Sequence, residues 1–271
     1  MSFSFAEVPL ENRCYQSRFA KYRNWPVGDC FFGAPSDGLY GRKPLTELPR
    51  NSTGFHFYLG SERRCIFESY LASSCPQATK SLHIGDSCYA LGEGREYARL
   101  TESLLQCSFP KLRSLELGVW QLFSNSHCAY GDVGQIDGLG TSMPELRELY
   151  IYGKCQLLSP LSIPNLEILH IVVDDPATGL NAGAPDEKTV SNILSSSFPK
   201  LRKLYIDLEI DNANLRYSIP ETLLASNAFP HLTDFELVGN FGMGERERLL
   251  NSPLLYNQRV TVHLNGMREL T

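Results

Sequence analysis

FPKLRSLEL, at residues 109–117, decides the reading of this chain because the phrase recurs. MPELRELYI follows at 143–151, IPNLEILHI at 163–171, FPKLRKLYI at 198–206 and FPHLTDFEL at 229–237. Each copy reads apolar, Pro, any residue, Leu, two variable residues, Leu or Phe, one variable residue, Leu or Ile. The last two apolar positions lie two apart, the period of a strand with one buried face. Proline lacks an N–H and disfavours helix in the residue ahead of it, so it stops any helix that precedes. Helix-like segments do precede several copies, at 95–106 (REYARLTESLLQ), 188–195 (KTVSNILS) and 220–226 (PETLLAS). The unit is therefore helix, Pro-marked turn, short strand, loop.

The prolines fall at 110, 144, 164, 199 and 230, so the spacing runs from 20 to 35 residues and implies loops of variable length. Degenerate units extend the array at both ends. Upstream, residues 65–72 read as a helix, and 55–59 (FHFYL) and 81–84 (SLHI) as strands. Downstream, 245–251 reads as a helix and 260–264 (VTVHL) as a closing strand. One such unit cannot bury its own apolar face, so stacked neighbours supply the core and the end units are atypical.

The phrase resembles the leucine-rich-repeat family, whose L-x-x-L-x-L core matches Leu112, Leu115 and Leu117 and their four counterparts. More narrowly, LHIGDS at 82–87, FPKLRSLELG, the loop before MPELRELYIYG, and LSPLSIPNLEILHI are similar to stand-alone bacterial repeat proteins of undefined activity. The resemblance spans about residues 78–264 and implies an α/β, irregular, horseshoe-like solenoid, with parallel strands on the concave face and helices on the convex face. The departure lies at the family's following Asn or Cys. Asn240 occupies that place, whereas Trp120, Lys154, Asp174 and Glu209 stand in the other copies, so packing rather than an Asn ladder must hold the turns. Residues 1–54 lack the repeat and read as an N-terminal cap or small separate segment, with 55–271 as the solenoid.

Composition is that of a globular protein: 42% hydrophobic and 20% charged residues, with a net charge of −5. That balance gives no reason to expect nucleic acid or an anionic membrane as partner. No run reaches the roughly 18–20 apolar residues that cross a bilayer, and the start shows no basic region followed by an apolar one. The expectation is a cytoplasmic protein whose eight cysteines, none in a C-x-x-C pair, are reduced thiols.

Strand alternation places one column of side chains between the last two core positions: His83, Glu116, Tyr150, His170, Tyr205, Glu236 and His263. A second column is Ser114, Glu148, Ile168, Lys203 and Asp234, flanked by Arg113, Arg147, Glu167 and Arg202. Tyr and His on a rigid sheet offer large contact area at low entropic cost, so His83, Glu116, Glu148, Tyr150, His170, Lys203, Tyr205 and Glu236 are the candidate binding residues. Zinc by this column is excluded: His83 and His170 sit three strands apart, roughly 14 Å, whereas zinc ligands converge within about 2.3 Å of one point.

No G-x-S-x-G elbow, H-E-x-x-H or Walker loop occurs. Glycines at 239, 242 and 244 lack the order of a dinucleotide fingerprint. The run at 130–138 (YGDVGQIDG) lacks the dense acids of a calcium loop, so no cofactor or metal is expected. The leading expectation is a non-catalytic module that binds another protein. The alternatives are an enzyme with its site in the N-terminal segment or the 118–142 insertion, where Cys30 and His56 are the candidates, and a structural subunit of an assembly.

Overall fold

In a computed structural model the chain is an α/β protein built on a single open sheet of parallel strands. The structure describes residues 30–32, 52–59, 64–86, 98–118, 131–173, 185–208, 216–225, 228–256, 260–264 and 267–270. The strands are β1 (Cys30–Phe32), β2 (Gly54–Leu59), β3 (Ser81–Asp86), β4 (Ser114–Leu117), β5 (Gly131–Gln135), β6 (Glu148–Gln156), β7 (Ile168–Val172), β8 (Lys203–Asp207), β9 (Asp234–Gly242), β10 (Thr261–His263) and β11 (Met267–Leu270). Their order is β1-β2-β3-β4-β6-β7-β8-β9-β10, each new strand joining the same growing edge, while β5 pairs with β6 and β11 with β9. The helices are α1 (Arg64–Ala72), α2 (Cys75–Ala78), α3 (Ala98–Leu105), α4 (Leu139–Ser142), α5 (Glu187–Leu194), α6 (Glu221–Leu224), α7 (Glu245–Leu250) and α8 (Pro253–Tyr256).

The repeated phrase folds the same way five times. In each copy the first Leu donates its N–H to the carbonyl of the apolar residue before Pro: Leu112 to Phe109 (3.2 Å), Leu146 to Met143 (3.1 Å), Leu166 to Ile163 (3.2 Å), Leu201 to Phe198 (3.0 Å) and Leu232 to Phe229 (3.1 Å). Proline falls at the second position of this turn, where its fixed φ suits the bend and no N–H is required. The turn drops the first Leu and the leading apolar residue into the core, and the strand begins two residues later.

One hydrophobic cluster runs the length of the sheet. The strand residues Phe55, Leu82, Leu115, Leu149, Leu169, Leu204 and Phe235 form one row, and Phe57, Ile84, Leu117, Ile151, Ile171, Ile206 and Leu237 the next. Leu104 of α3, Val190, Ile193 and Leu194 of α5, and Leu223 and Leu224 of α6 join the same cluster. The helices thus cover one face of the sheet. At the β2 end the packing is aromatic: Phe57 meets Phe67 of α1 edge-on at 5.2 Å, and Tyr70 lies 4.8 Å from Phe55. Tyr70 keeps its hydroxyl satisfied by Thr79 at 2.8 Å, and burial pushes its phenol to a higher pKa.

In the 118–142 insertion the described residues 131–142 form a strand and a short helix. Within it β5 pairs in parallel with the second half of β6, from Gly131↔Gly153 to Gln135↔Gln156, and α4 follows. Similarly β11, which no sequence pattern announced, pairs with the second half of β9. Strands β6 and β9 are each nine residues long because they serve two ladders. Glycine marks both changes of direction: Gly153 has φ 133 and Gly239 φ 151, a region closed to most side chains.

The sparse Asn ladder is replaced by hydrogen bonds from the helical side. Thr189 of α5 accepts the Leu157 N–H (3.2 Å), Asn192 donates to the Leu157 carbonyl (2.8 Å), and Ser196 accepts the Leu161 N–H (2.9 Å). Ser142 donates to the Leu105 carbonyl at 2.8 Å. Asn165 links two Pro turns, donating to the Pro144 carbonyl (3.1 Å) and accepting from Lys200 (2.7 Å). Lys154, at one vacant Asn position, instead pairs with Asp132 in the β5–β6 ladder, while Trp120, Asp174 and Glu209 lie outside the described residues.

Candidate functional site

The face of the sheet opposite the core carries the column expected from sequence, and the register assembles it without a slip. His56, His83, Glu116, Tyr150, His170, Tyr205, Glu236 and His263 are successive partners across β2 to β10. The parallel column beside it is Ser81, Ser114, Glu148, Ile168, Lys203, Asp234 and Thr261. Tyr152 and Asp207, two residues beyond Tyr150 and Tyr205 on their strands, extend the face. The sequence reading passed over Ser81, Tyr152 and Asp207, although the same period-two rule that found Tyr150 would have reached them.

Two chemically different zones share the face. At the β6–β8 zone the side chains are aromatic. His170 stacks on Tyr205 with ring centroids 4.3 Å apart and planes 21° from parallel, and it also meets Tyr150 at 5.7 Å and Tyr152 at 5.6 Å. Carboxylates frame the rings: Tyr205 donates to Asp207 at 3.3 Å, and Glu148 accepts from Ser114 (3.2 Å) with a longer contact from Tyr150 (3.5 Å). Lys203 is exposed at the start of β8.

The β3–β4 zone differs from a simple solvent-facing strand surface. His83 is 7% exposed and Glu116 2%, although both lie on the face away from the apolar core. They are in register, and His83 Nδ1 lies 3.1 Å from Glu116 Oε2. Burying a carboxylate alone is costly, and this contact offsets the loss of water. The second ring nitrogen, Nε2, lies 3.2 Å from Ser81 Oγ.

Other residues considered from sequence serve local structure. Asp132 accepts the Gly134 N–H (2.8 Å), and Asp137 accepts the N–H groups of Leu158 and Ser159 (3.0 Å each), so both acids of the 130–138 run hold turns. Cys30 is in register with Phe55 and His56 with His83, which puts the two in different columns; their side chains lie outside the described residues. Among the described residues no group of three His, Cys, Asp or Glu side chains converges as a metal site would require. Cys75, Cys107 and Cys155 are free thiols, and burial pushes that of Cys155 up to about 12.

The chain is similar to a structural-genomics crystal structure of a protein from Bacteroides fragilis. Identity is 16% and the TM-score 0.50, over 95% of this chain and 66% of that one. At this identity the likeness concerns the fold alone, and the chain spans about two thirds of the other protein's length. No protein-family model and no curated protein matches it. No helix among the described residues is long and apolar enough to cross a membrane.

Proposed function

We propose that the chain is an irregular leucine-rich-repeat solenoid, strands on its concave face and helices on its convex face, acting as a module that binds another protein in the cytoplasm. Support for the solenoid comes from the sheet order, in which successive units add to one edge, and from the turn repeated in all five copies. The observation that carries the binding role is the half-buried ring group of Tyr150, His170 and Tyr205, packed on the buried Tyr152, with Glu148 and Asp207 beside it. Rigid aromatic side chains on a parallel sheet lose little rotamer freedom on contact, and Tyr is among the residues enriched as anchors of protein interfaces.

The test is crosslinked capture from native lysate followed by a structure-guided variant. A partner held by the wild-type chain should be lost from the Tyr150→Ala/Tyr205→Ala double variant at unchanged fold. It should be retained by Leu158→Ser, an exposed position in the turn after β6 rather than on the strand face. An identical partner set for the wild type and a folded double variant would remove this reading.

A further inference from the structure

The contacts at the β3–β4 end join three side chains in a row. We infer that Ser81, His83 and Glu116 form a nucleophile–base–orienter chain that makes the Ser81 hydroxyl reactive toward activated carboxylic esters. Backbone geometry brings the three together. Ser81 and His83 are two apart on β3 and so share a face, and Glu116 is the in-register neighbour of His83 on β4.

The direction of the hydrogen bonds depends on the tautomer of His83, and the role of a base requires the neutral ring. An ionised carboxylate only accepts, so the Nδ1 facing Glu116 at 3.1 Å carries a hydrogen. The neutral ring then has its lone pair on Nε2, which faces Ser81 Oγ at 3.2 Å. In this tautomer the hydroxyl donates to Nε2. Both distances fall in the range found for a nucleophile, its base and the group orienting that base.

Exposure rises in the same order. Glu116 is 2% exposed, His83 7%, and Ser81 is half-buried. A structural ion pair needs His83 and Glu116 alone, whereas a reactive hydroxyl needs the outermost member to meet solvent. The residues ahead of Ser81 and Ser114 are Lys80 and Arg113, both exposed and linked through the Arg113 N–H to the Lys80 carbonyl at 2.8 Å. Their backbones stand one residue before Ser81 and Ser114, at the start of β3 and β4.

In the reaction, Ser81 Oγ bonds to the ester carbonyl carbon as its proton passes to His83 Nε2. The tetrahedral intermediate expels the alcohol, which takes that proton. Water then attacks the acyl-Ser81 ester, giving its proton to the same Nε2, and the carboxylic acid leaves as Ser81 recovers its hydrogen. Ester and water yield acid and alcohol, with no other reactant. Glu116 touches no reacting atom and is a positioning residue.

The experiment exposes the full-length chain to a fluorophosphonate probe and to p-nitrophenyl acetate, with peptide mapping of the modified residue. Labelling at Ser81 is expected, absent in Ser81→Ala and slowed about 100-fold in His83→Ala, the scale of a lost general base. Glu116→Gln should shift the pH profile of labelling at unchanged melting temperature. If these variants fail to fold, Ser81→Cys still decides the matter. Its alkylation by iodoacetamide should persist well below pH 8, because an adjacent imidazole lowers a thiol from its usual value of about 8.5. No labelling of Ser81, equal labelling in His83→Ala, or an ordinary thiol profile at position 81 would each overturn the inference. None of these results bears on partner capture by Tyr150 and Tyr205.

Discussion

His170 lies nearly flat against Tyr205, its in-register neighbour on the next strand, with ring centroids 4.3 Å apart. Parallel strands run about 4.8 Å apart, so two rings standing upright on adjacent strands reach stacking distance with little adjustment. The register itself creates the platform. Offset aromatic pairs contribute about 0.5–1.5 kcal/mol beyond burial. Tyr205→Ala should therefore lower unfolding free energy by about 1 kcal/mol, whereas Tyr205→Phe should keep the stack and lose only the Asp207 contact. Urea denaturation of the two variants separates these cases, and equal losses would show that the hydroxyl dominates.

Gly118 ends β4 at φ 80, and a Cβ there would sit 2.0 Å from the Tyr152 carbonyl oxygen. Gly244 has a similar φ of 84, yet nothing lies within 4 Å of its added Cβ. Gly244→Ala should thus cost about 1 kcal/mol for backbone strain alone. Gly118→Ala should cost several times more, because β6 must also move away. Thermal melting of both checks the contrast, and similar melting temperatures would mean that β4 and β6 separate freely.

Asp186 caps α5, accepting the Thr189 N–H at 2.6 Å, and this bond holds its carboxyl below the usual aspartate value. A folded pKa that is depressed stabilises above the unfolded value, near about 3.9, and the contribution disappears as pH falls through the folded one. Asp186→Ala should lose about 1 kcal/mol at neutral pH, the usual scale of an N-cap. The gap to wild type should close in acid below about pH 4. Denaturation curves measured from pH 7 downward give the answer.

Cys155 is fully buried on β6 with its thiol pushed up to about 12, while Cys75 and Cys107 are partly exposed. Alkylation of the native protein at pH 8 should mark Cys75 and Cys107 and spare Cys155 until denaturant is added. Mass spectrometry of the alkylated peptides reads this directly, and early loss of Cys155 would reveal local opening of the β5–β6 ladder.

Much of this fold was legible in the residues. The five copies of apolar-Pro-x-Leu carry their own turn chemistry, and the alternation after them dictates which side chains share a face. Because each copy has the same internal spacing, stacking them in register aligns Glu116, Tyr150, His170, Tyr205 and Glu236 in one column and Ser114, Glu148, Ile168, Lys203 and Asp234 in the next. What tertiary structure alone decided were the features that depend on unlike neighbours. Strand β5 was hidden because GDVGQ has no apolar alternation of its own and gains its ladder only from β6. The turns are tied by Thr189 and Asn192 of α5 and by Ser196 just after it, which carry no signal of their own in sequence and matter because Leu157 and Leu161 of another unit lie against them. Likewise the period-two rule put Ser81, His83 and Glu116 on the open face, but the burial of His83 and Glu116 and their mutual contact arise across strands 33 residues apart, a separation that no local pattern encodes.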